Sequence, residues 1–171
     1  MTSRAAGDAE MAETRPFPLL RADEISALPE IAHVHQFNDR AVRQTRSLGD
    51  LLGLTSLGIH LVRLQPGAES TQFHFHQVDE EFVYILSGRA IAEIGDNEYE
   101  VGTGDFMAFA RQSLPHAMRN TFDEDLVYLM GGNRSPIDIC DYPRINRRMY
   151  RVDGRKEYVD LENLHPVKGG K

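Results

Sequence analysis

The sequence predicts an all-β fold, an antiparallel barrel or sandwich, on three observations. From Ile59 to Met130, short runs of β-forming residues recur about every ten residues. Gly, Pro, Asp, Asn and Ser separate the runs, which is the punctuation of turns. No apolar period of 3.6 residues lies between them, so the strand–helix alternation of doubly wound nucleotide-binding sheets is absent.

The elements follow in order. Asp23-Glu24-Ile25-Ser26-Ala27-Leu28 reads as a short capped helical turn that ends before Pro29. The first β-run, Ile59–Leu64, stops at Pro66-Gly67, and Phe82–Leu86 stops at Ser87-Gly88. Arg89–Ile94 ends at Gly95-Asp96-Asn97, and Glu98–Val101 leads into the turn Gly102-Thr103-Gly104-Asp105. Phe106–Ala110, Ala117–Thr121 and Leu126–Met130 complete the series, the last closed by Gly131-Gly132. Beyond Asn133 the periodicity fades, with Pro136, Pro143 and Pro166 interspersed. Ile137, Ile139, Tyr142, Met149, Tyr150 and Tyr158 nevertheless supply apolar surface that needs covering. The expected organisation is an N-terminal arm over residues 1–58 with 1–15 disordered, a barrel over 59–131, and a C-terminal arm over 132–171. That last arm is expected to pack on the barrel or on a partner subunit, with Lys168–Lys171 loose.

Composition narrows the function classes. A chain of 171 residues that is 41% hydrophobic can build one core without disulfide staples. Its net charge of −7 argues against a general nucleic-acid binder. Residues 66–130 carry 12 acids and 3 bases, whereas 131–171 carry 9 bases and 6 acids. Arg144, Arg147, Arg148, Arg151, Arg155 and Lys156 therefore read as a basic tail lying on an acidic barrel rather than as a phosphate-binding strip. The single cysteine, Cys140, excludes an intrachain disulfide, and with no histidine beside it in sequence it reads as a buried, inert thiol. Met1–Pro16 lacks the apolar segment of a secretory signal. The longest apolar runs, Phe82–Leu86 and Leu126–Met130, fall far below the ~20 residues of a membrane helix. The expected location is cytoplasmic, without membrane association.

The middle third also carries a candidate metal site. His74 and His76 are two apart, so on a strand both imidazoles face one side. Glu81 leads the next apolar run, and its carboxylate can face the histidines if the neighbouring strand returns antiparallel. His116 stands at the start of a later strand. Three neutral imidazoles and one carboxylate suit a single Fe(II), Mn(II), Ni(II), Co(II) or Zn(II) ion, and leave positions for water, O₂ or a chelating substrate. Gln72 is in phase with His74 and His76 and Met118 with His116, so both are candidate pocket residues. His60, His165 and the pair His33 and His35 read as structural or solvated, and Glu80 would point away from Glu81.

Gly67-x₆-His74-x-His76-x₄-Glu81-x₆-Gly88 resembles the first motif of the cupin superfamily. Gly104-Asp105-Phe106-x₉-His116-x₃-Asn120 resembles the second. The second motif departs from the family pattern at Ala110 and Gln112, where members usually have proline and glycine, and one residue is added before His116. The wider sequence looks like single-domain cupins of bacterial type whose activity is generally unassigned. The resemblance implies a double-stranded β-helix, the cupin jelly-roll barrel, with His74, His76, Glu81 and His116 as metal ligands. It also implies a metal-dependent enzyme of dioxygenase, isomerase or lyase type acting on a small oxygen-bearing molecule, its catalytic residues unassigned. The alternative is a non-catalytic small-molecule binding or sensing module, although no DNA-binding helix-turn-helix precedes the barrel. A homodimer is expected, because small barrels leave sheet edges to cover.

Overall fold

The computed structural model describes residues 17–167, so the expectations for residues 1–15 and for Lys168–Lys171 lie outside the described residues. Thirteen strands form three antiparallel sheets. In chain order they are β1 (Ile31–His35), β2 (Asn38–Arg46), β3 (Leu57–Leu64), β4 (Phe75–His76), β5 (Glu81–Ser87), β6 (Arg89–Ile94) and β7 (Asn97–Gly102). There follow β8 (Phe106–Phe109), β9 (His116–Arg119), β10 (Leu126–Asn133), β11 (Ile137–Tyr142), β12 (Arg147–Val152) and β13 (Arg155–Asp160). The six-stranded sheet runs β1-β2-β3-β10-β5-β8, the four-stranded sheet β13-β12-β11-β4, and the three-stranded sheet β7-β6-β9. The fold is an all-β jelly roll: the spacing of runs and turns predicts the all-β class, and the family resemblance implies the jelly roll.

The core sits between the six- and three-stranded sheets. Val62, Leu64, Ile85, Leu126 and Tyr128 come from the first, and Ala90, Ala92 and Met118 from the second, all at 7% exposure or less. Alternation explains the selection: Val62 and Leu64, or Leu126 and Tyr128, are two apart and face inward together. A smaller cluster of Cys140, Tyr142 and Met149 lies under the four-stranded sheet.

The seven predicted barrel strands are present, with shifts of at most three residues at their ends. The strand expected over Ala117–Thr121 starts at His116 and ends at Arg119. The predicted helix is Ala22–Ala27, one residue earlier than the motif suggested. Its start is set by Glu24, whose carboxylate accepts the Arg21 backbone N–H at 2.6 Å. The flanks contain strands that the sequence did not announce. β2 extends the main sheet by pairing with β3, Thr45 opposite Val62. β11 pairs with β4, placing Cys140 opposite His76. The tail's arginines divide between the acidic barrel and the tail's own carboxylates. Arg144 meets Glu93 at 2.6 Å and Arg151 meets Asp79, both on the barrel side, while Arg147 meets Asp160 and Arg148 meets Asp141 within the tail.

Candidate metal centre

Four short segments bring the predicted residues together. His76 ends β4, Glu81 opens β5 and His116 opens β9. His74 precedes β4 and forms an isolated antiparallel bridge with His116, their backbones exchanging hydrogen bonds of 3.2 and 2.8 Å. One expectation needs correcting. β5 does not return beside β4; it pairs with β10 and β8 in the six-stranded sheet, while β4 pairs with β11. Glu81 therefore reaches the histidines from a different sheet.

The contacts converge on that carboxylate. Nε2 of His116 lies 3.3 Å and Nε2 of His74 3.4 Å from Oε2 of Glu81, and Nε2 of His76 lies 3.5 Å from Oε1. Each imidazole is oriented from behind at Nδ1. His74 Nδ1 faces the Gln72 carbonyl at 3.0 Å, His116 Nδ1 the Leu114 carbonyl at 3.5 Å, and His76 Nδ1 the Asp138 carboxylate at 2.6 Å. A carbonyl can only accept, so Nδ1 of His74 carries the proton and Nε2 presents a lone pair toward Glu81. Phe109 stacks on His116 with ring centroids 3.4 Å apart and planes within 2° of parallel, fixing the ring's tilt.

The departures in the second motif leave this geometry intact. Gln112 takes the left-handed conformation (φ 55°) in place of a glycine, and its N–H donates to the His76 carbonyl at 2.8 Å. That hydrogen bond ties the altered turn to the metal-site strand.

Electrostatics separate Glu81, His74 and His76. Burial opposes ionisation of Glu81, but the imidazoles of His116, His74 and His76 that face its carboxylate hold it well below the ordinary value of 4.5. Burial keeps His74 neutral against the pull of Glu81. For His76, burial is outweighed by Asp138, and its pKa is raised to about 11. His74, Glu81 and His116 offer ligand atoms that lie within 4.8 Å of one another, a spacing that can hold a metal ion. Two further such groups occur among the described residues, His74–His76–Cys140 and His76–Asp79–Asp138. Cys140 is buried as expected, yet it has histidines beside it in space that its sequence neighbours do not reveal.

The centre opens onto a cavity of about 50 Å³ that His74, Glu81, His116, Met118, Arg43 and Tyr128 help to line. Met118 is thus a pocket residue, as its phase with His116 predicts. Gln72 is not: it contributes its carbonyl to His74 rather than a side chain to the cavity. The sequence reading missed Asp138, Arg43 and Tyr128. Asp138 lies 62 residues from His76, and only the β4–β11 pairing joins them.

A jelly roll that brings three histidines and a glutamate together beside one cavity has the architecture of a cupin. The chain belongs to the cupin superfamily, and residues 60–132 match the family model for the cupin domain. A protein from Acidithiobacillus ferrooxidans named "Putative sugar phosphate isomerase" is 39% identical, with a TM-score of 0.85 over 88% of this chain and 96% of that one. A sugar phosphate isomerase of the cupin superfamily from Silicibacter pomeroyi is 26% identical, with a TM-score of 0.77 over 88% of this chain and 98% of that one. A predicted oxalate decarboxylase from Thermotoga maritima shares the fold at 17% identity, with a TM-score of 0.56 over 65% of this chain and 96% of that one. No curated protein matches the chain. Among the described residues no helix is long and apolar enough to cross a membrane.

Proposed function

We propose that the protein is a metal-dependent enzyme that isomerises a small hydroxy- or oxo-compound, with His74, His76, Glu81 and His116 holding one divalent transition metal. The observation that carries this reading is the convergence of three Nε2 atoms, at 3.3–3.5 Å, on one carboxylate, each ring held from behind at Nδ1. Such a donor set fits Fe, Mn, Ni, Co or Zn. When bound, the ion would supply Lewis-acid polarisation of a substrate oxygen.

The chain's own residues prepare the site. Glu81 stays ionised and offsets one unit of metal charge. Met107, Met118, Ile94 and Val83 wall the cavity with apolar surface that limits water and strengthens electrostatic interactions inside it. The relatives named as sugar phosphate isomerases support isomerase chemistry over oxygenation.

Metal analysis of reconstituted protein tests the first half of the proposal. About one ion per chain is expected, falling well below one in His74→Ala; a stoichiometry that this substitution leaves unchanged would sink the metal assignment. Anaerobic incubation with two- to four-carbon hydroxy-carbonyl compounds in deuterated water, followed by NMR, tests the second. Deuterium exchange or rearrangement without oxygen is the expected result, and turnover that appears only when O₂ is admitted would overturn isomerisation.

A further inference from the structure

We infer that Arg43 and Tyr128 form an anion subsite in the metal cavity that holds the carboxylate of a three-carbon hydroxy- or oxo-acid. This rests on the metal reading above and names the substrate class that it leaves open.

Two donors in the cavity wall lack adequate partners. Tyr128, on β10, is 1% exposed, and its hydroxyl has no hydrogen-bond partner. A buried hydroxyl without a partner is costly, so such groups are ordinarily satisfied. Arg43, on β2, is half-buried, and among the described residues its guanidinium makes one hydrogen bond, to the Met130 sulfur at 3.6 Å. A thioether is a weak acceptor, and the guanidinium has five N–H groups. Other half-buried arginines meet carboxylates: Arg63 bonds Glu30, Arg148 bonds Asp141 and Arg151 bonds Asp79. Arg43 has no such pair among the described residues, yet it lines the same cavity as Tyr128, His74, Glu81 and His116.

Charge and size select the ligand. Glu81 faces the histidines, which leaves the Arg43 guanidinium to be met by an anion from outside. A guanidinium fork and one phenol match the two oxygens of a planar carboxylate. A phosphate would bring a third oxygen that these two side chains do not serve. The cavity volume of about 50 Å³ corresponds to roughly three to five water-sized positions, the scale of lactate. With the carboxylate on Arg43 and Tyr128, the hydroxyl or carbonyl oxygen of such an acid is left for the metal side of the cavity.

The test uses full-length cobalt(II)-loaded protein and three probes. Azide, read from the cobalt visible spectrum, reports the metal alone; lactate and inorganic phosphate are titrated by calorimetry. Arg43→Gln is expected to weaken lactate binding about tenfold or more, and Tyr128→Phe about three- to tenfold. Azide binding should stay within about twofold across the three proteins. Equal lactate affinity in the wild type and both variants, with azide binding intact, overturns the subsite and leaves the metal centre standing. Phosphate that binds more tightly than lactate, in a manner lost with Arg43→Gln, overturns the carboxylate assignment. Failure to load cobalt or to respond to azide overturns the metal reading, and the subsite with it. Tyr128→Phe removes one oxygen and no charge, so it decides the question even where Arg43→Gln does not fold.

Discussion

His76 on β4 is held by Asp138 on β11, with Nδ1 and Oδ2 2.6 Å apart and the carboxylate fully buried. Asp138 also accepts the Asp79 backbone N–H at 3.1 Å, so its own orientation is fixed. An acid behind a ligating imidazole sets the ring's tautomer and raises its basicity. Asp138→Asn is therefore expected to weaken metal affinity about 10- to 100-fold. Competition against a chromophoric chelator would measure this, and an unchanged affinity would remove His76 from the ligand set.

The same pair makes metal uptake pH-dependent. Despite burial, Asp138 raises His76 to about 11, so the metal-free protein keeps a proton on His76 at neutral pH. Glu81 lies well below its ordinary value and His74 below its own, so neither has a proton to lose near pH 7. Calorimetry in buffers of different ionisation enthalpy should show His76 releasing about one proton per ion bound at pH 7, a release that disappears in His76→Ala. The sign for stability follows from the raised value. The contribution of charged His76 to the metal-free fold is complete below the ordinary imidazole value of 6.5 and is lost as pH rises toward about 11. The difference in melting temperature between metal-free wild type and Asp138→Asn should therefore shrink between pH 6 and pH 10.

The barrel was legible in sequence because its strands are regular and its turns are marked by glycine. Arg89–Ile94 was bounded correctly at both ends by Gly88 and Gly95. The flanking strands were not, because charge breaks their apolar alternation: β2 reads Asn-Asp-Arg-Ala-Val-Arg-Gln-Thr-Arg, with only Ala41 and Thr45 buried. β12 is likewise rich in arginine and β13 in charges of both signs, and they gain their order from cross-strand pairs such as Arg147 and Asp160. The four candidate ligands were readable because local spacing carries them. Asp138, Arg43 and Tyr128 were not, because sheet pairing between distant segments, not spacing, brings them to the cavity.

The two motif glycines that bracket the first ligands differ in what they tolerate. Gly67 and Gly88 both have φ of +79°, a conformation that strains any other residue by about 1–2 kcal/mol. Around Gly67 there is open space for a Cβ, whereas at Gly88 a Cβ would overlap the Asp125 carbonyl oxygen and approach Leu126 Cα to 3.0 Å. Gly67→Ala should cost about 1–2 kcal/mol. Gly88→Ala should cost distinctly more, because both clashing atoms belong to the backbone where β10 begins. Denaturant unfolding of the two variants would show it, and equal losses would mean that the β5–β6 turn moves freely away from β10.

Tyr128 gives the remaining prediction, and its sign is opposite to that of most core substitutions. The ring packs in the barrel core beside Val62 and Ile85, and burial pushes the phenol up to about 12, so the hydroxyl stays neutral. Without a partner that hydroxyl carries a desolvation cost of about 1–3 kcal/mol. Tyr128→Phe keeps the ring contacts and removes only the unsatisfied oxygen. Ligand-free Tyr128→Phe should therefore be as stable as the wild type or up to about 1 kcal/mol more stable by urea unfolding. With saturating lactate the order should reverse, since ligand that binds only the folded state stabilises the protein in which it binds more tightly. A ligand-free loss above about 1 kcal/mol would show that the hydroxyl already has a partner in the folded protein, leaving Arg43 as the only unmet donor in the cavity wall.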